Sequence, residues 1–178
     1  MVSTLSSLSI LVVDADREWL DYTCGTLKGF GIRDVEACAD GGEAVQRIVR
    51  EDLDVIFVDA ALEPEDGLSL VRKIRSMESG NRGAPPIVFL TGEAFDHVTQ
   101  AWRKAGADDF LVKPFTAIDL MGHLMSVIER PAPFVRTTSY FGPDRRTIEA
   151  PRFDGADRRK AKAEAASAPP RPPRSKAG

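Results

Sequence analysis

The chain has 178 residues, 43% hydrophobic and 29% charged, a balance that fits a globular protein and excludes a wholly disordered or collagen-like one. No apolar run approaches the ~20 residues needed to cross a bilayer, so no membrane span is expected. The two cysteines, Cys24 and Cys38, are too few for a disulfide framework or a zinc site. The net charge of −3 conceals an asymmetry: residues 1–130 hold 13 Lys and Arg against 22 Asp and Glu, whereas residues 131–178 hold 11 against 5. An acidic front and a basic back predict two parts with different partners.

In chain order, Met1 to Ser9 carries no basic residue ahead of its apolar stretch. That stretch runs straight into the first predicted strand, so a cleaved signal peptide is not expected and the location reads as cytoplasmic. The strand is Leu8–Val13 (LSILVV). A helix follows over about 17–29, then a strand at Val35–Cys38 and a helix over 42–50. Val55–Val58 (VIFV) precedes a helix over 67–77, Ile87–Leu90 (IVFL) one over 95–105, and Phe110–Val112 (FLV) one over 116–129. Runs such as VIFV and IVFL do not alternate with polar residues, as expected of parallel strands buried on both faces. The last helix opens on Thr116-Ala-Ile-Asp119, a capping box with Asp in place of Glu, and presents Leu120, Leu124, Val127 and Ile128 on one face. Five strands alternating with five helices predict a doubly wound α/β sheet, with right-handed crossovers placing helices on both faces.

After Glu129 the character changes, and eight of the twelve prolines fall in residues 131–178. This Pro/Arg-rich tail is too poor in apolar surface to offset chain entropy and is expected to be mostly disordered. It carries an internal echo: Phe141-Gly-Pro-Asp-Arg-Arg146 is followed by Phe153 and Gly155-Ala-Asp-Arg-Arg159. These two Gly-x-Asp-Arg-Arg elements suit docking on a partner's acidic surface or folding back on the acidic front, the bland alternative being a solvated basic run.

Chemistry in an open α/β sheet is expected beyond the carboxyl ends of the strands. Here the first strand ends at Asp14, with Asp16 two places on, the third at Asp59, the fourth at Thr91 and the fifth at Lys113-Pro114. Converging carboxylates make a hard-oxygen site suited to Mg²⁺. A lysine and a hydroxyl beside them suit a phosphoryl group.

Four stretches, VVDAD (12–16), DVIFVDAALEPEDGLSLVRKIR (54–75), PIVFLTG (86–92) and AGADDFLVKPF (105–115), stand in one order and at intervals that resemble the bacterial response-regulator receiver domain. The resemblance covers residues 1–130 as one domain and leaves 131–178 as the tail. It implies a flavodoxin-like five-stranded parallel sheet in the order 2-1-3-4-5. Asp59 would be the phosphoacceptor, taking its phosphoryl group from a histidine kinase, a phosphotransfer protein or a small phosphodonor. Asp14, Asp59 and the backbone carbonyl of Ala61 would hold Mg²⁺. Thr91 would donate to a phosphoryl oxygen, Lys113 would pair with the phosphoaspartate, and the bond before Pro114 would be cis. Phe110 takes the aromatic switch position, coupled to Thr91.

Three positions depart from the family pattern. Ala15 stands where a second acidic residue normally binds the metal directly. Asp16 is the substitute carboxylate on offer, displaced by one residue. Pro64 comes one place late, and Gly92 replaces the usual alanine. Weakened Mg²⁺ binding is the expectation.

The leading expectation is therefore a single-domain response regulator of a phosphorelay. It would not be an enzyme beyond assisting its own phosphorylation and dephosphorylation, and would signal to a downstream protein target. The alternative is a pseudo-receiver docking module, with the basic tail binding a partner, a membrane or nucleic acid. Specific DNA reading is not expected, because the tail lacks a helix-turn-helix pattern. A nucleotide-binding protein of the same architecture would need a phosphate-cradling loop after the first strand, where this chain has Asp14 and Asp16. Trp19 and Trp102 read as packed core residues, and His97 and His123 as isolated surface or helix-edge histidines.

Overall fold

The computed structural model describes residues 5–77, 85–92, 96–129, 134–136 and 141–143. Five strands form one parallel sheet: β1 (Ser9–Val13), β2 (Asp34–Cys38), β3 (Val55–Asp59), β4 (Ile87–Thr91) and β5 (Asp109–Val112), in the order β2-β1-β3-β4-β5. The helices between and after them are α1 (Arg17–Gly29), α2 (Gly41–Arg50), α3 (Gly67–Ser76), α4 (Asp96–Ala105) and α5 (Ala117–Glu129). The predicted doubly wound architecture and strand order are thus observed, each element lying within a residue or two of its expected bounds.

The strands lack polar alternation because both faces of the sheet are covered. Ile10, Val12, Val55, Phe57, Val88 and Leu90 point to one side, where α1 and α5 supply Cys24, Leu27, Leu120, Leu124 and Val127. Leu11, Val13, Ile56, Val58, Ile87 and Phe89 point to the other, where α2, α3 and α4 supply Ala44, Leu70, Val71, Ile74 and Trp102. Trp102 is a core residue as expected, stacked between Phe89 and Phe110 at 5.0 Å from each ring.

The helix starts are chemically marked. Asp16, Asp40 and Asp66 cap α1, α2 and α3, each carboxylate accepting from backbone N–H groups of the first turn. The predicted capping box closes α5: Thr116 N donates to Asp119 Oδ2 at 2.9 Å and Asp119 N donates to Thr116 Oγ1 at 3.2 Å. The Thr116 N–H and the Thr116 hydroxyl, which donates to the same Asp119 Oδ2 at 2.7 Å, hold the Asp119 carboxyl below its ordinary range.

One polar clip crosses the core layer. Arg75, 3% exposed at the end of α3, donates to Gly106 O (2.8 Å), Pro85 O (2.8 Å) and Asp108 Oδ2 (2.6 Å). The same Asp108 oxygen accepts from Ile87 N at 2.8 Å, so α3, the start of β4 and the α4–β5 turn meet on one ion pair.

Beyond α5, β6 (Phe134–Arg136) pairs antiparallel with β7 (Phe141–Pro143), and β7 lies against α3. The apolar pattern of the sequence had marked no strand there. Contacts divide the chain into Met1–Ile148 and Glu149–Gly178. The second part, with the Gly155–Arg159 element, lies outside the described residues.

Candidate functional site

The carboxyl ends of β1, β3, β4 and β5 bring Asp14, Asp59, Thr91 and Lys113 to one edge of the sheet. Parallel pairing sets this: Val13 lies opposite Val58, Asp59 opposite Leu90, and Thr91 opposite Val112, so the residue closing each strand falls at the same level. Asp14, Asp59 and Thr91 are buried. The ammonium of Lys113 lies 2.6 Å from Asp14 Oδ2 and 2.7 Å from Asp59 Oδ1 and bridges the two carboxylates. The Lys113-Pro114 bond is cis, as the resemblance implied, and Glu63-Pro64 is cis as well.

Each carboxylate has a second partner. Asp59 Oδ2 accepts from Ala61 N at 2.9 Å, and Asp14 Oδ1 accepts from Asp16 N at 3.0 Å. Burial pushes the Asp14 carboxyl above its ordinary range, against the hydrogen bond from Lys113 and with the charge of Asp59. Two buried carboxylates served by one ammonium leave the cluster short of positive charge, a condition that favours a cation or proton.

Asp16 does not join this cluster. Its Oδ1 accepts from Glu18 N (2.9 Å) and Trp19 N (3.3 Å) as the cap of α1, on an exposed turn. Among the described residues no three His, Cys, Asp or Glu side chains stand together as a metal-holding group. Ala15 stands where the resemblance implied a second acidic ligand and offers no carboxylate. The remaining donors still fit Mg²⁺, which takes one or two carboxylates and keeps several waters. Asp14, Asp59 and the Ala61 carbonyl are the residues that would hold it.

Gly67 fixes the site from below. A Cβ on it would stand 2.0 Å from the Asp59 carbonyl oxygen, and its N–H donates to Ala60 O at 3.1 Å. Only glycine lets the first turn of α3 close onto the strand that carries Asp59.

Phe110 is partly buried and packs on Trp102, at 5.0 Å between ring centres. Two features were not visible in the sequence. Trp19, expected in the core, is only partly buried, and its ring centre lies 5.3 Å from the Lys113 ammonium. His123, expected to be isolated, lies 2.6 Å from Asp109 Oδ2 through its Nδ1, joining α5 to β5. The side chain of His97 lies outside the described residues.

Burial opposes charge on His123, but the hydrogen bond and charge of Asp109, with Asp119 beyond, prevail and raise its pKa above the usual histidine value. A raised folded-state pKa contributes stability fully below the unfolded value and loses it as pH rises through the folded one. The stability this pair contributes should therefore fall as pH climbs above about 6.5. Unfolding by urea across that range checks this: His123→Gln should flatten the slope, and an unchanged slope would show that the pair has no part in it.

An open parallel sheet with a lysine bridging two strand-end carboxylates defines the class as a flavodoxin-like α/β domain with an acidic switch-point site. Comparison with known proteins narrows it. A family model described as the response regulator receiver domain matches residues 10–125, well over half of the chain. The response regulator MprA of Mycobacterium tuberculosis is 35% identical over 129 residues, covering 71% of this chain and 53% of its own. The transcriptional regulatory protein GltR of Pseudomonas aeruginosa is 33% identical over 124 residues, covering 68% and 49%. Among solved structures, the chemotaxis protein CheY4 of Vibrio cholerae superposes with a TM-score of 0.63 at 32% identity, covering 67% of this chain and 98% of that one. This chain belongs to the response regulator receiver family. It spans about half the length of the curated relatives it matches. No helix among the described residues is long and apolar enough to cross a membrane.

Proposed function

We propose that this receiver accepts a phosphoryl group on Asp59 in a phosphorelay and passes the signal on through protein–protein contacts. The observation that carries the reading is the Lys113 bridge at 2.6 and 2.7 Å between Asp14 and Asp59, at the switch-point edge of the sheet. A phosphohistidine of a kinase or phosphotransfer protein, or a small acyl phosphate, is the donor. An Asp59 carboxylate oxygen bonds to phosphorus as the bond to the donor breaks, and the electron pair leaves with the donor. Lys113, already hydrogen-bonded to Asp59, pairs with the charge that arrives, and Thr91 at the end of β4 donates its hydroxyl to a phosphoryl oxygen. Asp14, Asp59 and the Ala61 carbonyl would hold Mg²⁺, which would supply countercharge to the phosphoryl oxygens. With Ala15 in the sequence and Asp16 capping α1, Mg²⁺ should bind more weakly here than at a site with a second acidic ligand.

A phosphoaspartate that behaves like other phosphorylated side chains adds roughly −1.5 to −2 of charge beside Lys113 and Thr91. Thr91 shares its strand with Phe89, which faces Phe110 across the β4–β5 ladder, so a shift of Thr91 reaches Phe110 through packed atoms. The protein acts in the cytoplasm, has no catalytic turnover on other substrates, and its tail does not read DNA sequence.

Exposure to acetyl phosphate and Mg²⁺, followed by intact mass, tests the reading. The expected result is one Mg²⁺-dependent phosphoryl group per chain that is absent in Asp59→Ala. A second reading, a docking module without phosphorylation, is favoured by one observation: among the described residues no third carboxylate joins Asp14 and Asp59. No adduct from acetyl phosphate or from a cognate kinase at high Mg²⁺ would establish that reading instead.

A further inference from the structure

The Lys113 ammonium has two carboxylates on one side and an aromatic face nearby on another. Its Nζ stands 5.3 Å from the Trp19 ring centre, within the range of a cation–π contact. The indole is itself braced. Tyr22 meets it edge-on at 5.7 Å and 89°, and Phe115 packs at 5.1 Å and 44°. Tyr22 and Phe115 are 5.8 Å apart, and the Tyr22 hydroxyl donates to Phe115 O at 3.3 Å. Phe115 follows Lys113 by two residues, so this packing ties the lysine's own loop to α1.

A second connection runs through the backbone. Asp14 Oδ1 accepts from Asp16 N, and Asp16 Oδ1 accepts from Trp19 N. The loop after β1 therefore sets the first turn of α1, and with it the indole, relative to the carboxylate that Lys113 bridges. Asp14, Asp16, Trp19 and Lys113 form a closed ring of contacts. The side chain of Lys113 is only 11% exposed, so its charge is poorly solvated and an aromatic face counts for more than it would in water.

We infer that Trp19 is a positioning residue for Lys113 and that it lengthens the life of the phosphoryl group on Asp59. This deepens the phosphoacceptor reading and rests on it. With its ammonium held, Lys113 stays bridged between Asp14 and Asp59, where it pairs with the phosphoryl group. In hydrolysis a water oxygen bonds to phosphorus and the phosphorus–oxygen bond to Asp59 breaks. The electron pair returns to the carboxylate, and the water's proton leaves with inorganic phosphate. A lysine free to swing away from Asp59 speeds that step.

The test uses the full chain, phosphorylated with acetyl phosphate and Mg²⁺ and then freed of donor. Phosphoryl loss is followed by intact mass in the wild type, Trp19→Leu and Trp19→Phe. Decay should be about three- to tenfold faster in Trp19→Leu and near wild type in Trp19→Phe, which keeps an aromatic face. Equal decay in the wild type and Trp19→Leu overturns the inference.

A second readout needs no phosphoryl group. The Lys113 Cε protons, assigned by their loss in Lys113→Met, should carry an indole ring-current shift that disappears in Trp19→Leu. The same signals in wild type and Trp19→Leu overturn the positioning role, even with a well-folded variant. Failure of the wild type to take phosphate would instead count against the Asp59 reading, and the Lys113 signals would still decide whether Trp19 holds the ammonium.

Discussion

Gly67→Ala should destabilise the domain by roughly 3 kcal/mol and cut phosphoryl uptake on Asp59 more than tenfold. The reason lies in one distance. A methyl group at this position would stand 2.0 Å from the Asp59 carbonyl oxygen and 3.2 Å from the Ala60 Cα, both of them backbone. Neither can rotate away, so α3 must lift off β3. The lift breaks the Gly67 N–H bond to Ala60 O and drags the Asp66 cap with it. It also disturbs the turn that supplies Ala61 N to Asp59 Oδ2. Urea unfolding and acetyl phosphate labelling measure the two effects separately. Wild-type stability together with wild-type uptake would mean that this close approach does not exist in solution.

Arg75→Met should cost more, roughly 3–5 kcal/mol, and leave the fold marginal. The guanidinium donates to Gly106 O, Pro85 O and Asp108 Oδ2 in a site where the Arg75 and Asp108 side chains are 3% and 6% exposed. Removing it strands the Asp108 carboxylate and two carbonyl acceptors away from water, and an unpaired buried charge costs far more than the pair itself contributes. Replacing the partner as well tests the mechanism. Arg75→Met with Asp108→Leu should recover part of the loss, short of wild type because Ile87 N loses its acceptor. Strictly additive losses in the two single variants would contradict the ion-pair explanation. Gly106 shares the constraint: its φ of +103° and the Arg75 Cγ at 2.9 Å from a hypothetical Cβ leave no room for a side chain.

The sheet was legible because its chemistry is local and repetitive. LVV, VIFV and IVFL are apolar without alternation, and the structure covers both of their faces. The last helix showed through its capping box and its apolar face, with Thr116 and Asp119 bonded as their order predicted. The strand-end cluster was legible for a topological reason: parallel strands put their last residues at one edge, so Asp14, Asp59, Thr91 and Lys113 fall there together.

What remained hidden depended on side-chain direction and long-range pairing. Asp16 could cap a helix or hold a metal, and one torsion decides which; the structure turns it to Glu18 N and Trp19 N. Trp19 has the spacing of a core residue, and only the fold of the β5–α5 loop reveals that its ring faces Lys113. Arg75 offered a faint signal, a charge on the same helical face as Val71 and Ile74, but its partner Asp108 comes from another element. The β6–β7 hairpin has only three residues per strand, too few for a period-2 pattern to register.

The central claim is that Asp59, of the two carboxylates on Lys113, takes the phosphoryl group. Borohydride reduction of the phosphorylated chain, followed by peptide sequencing by mass, addresses it most directly because an acyl phosphate is reduced to the alcohol where it stands. The account predicts homoserine at position 59 and unmodified aspartate at position 14. Homoserine at position 14, or at any acidic position other than 59, would contradict it.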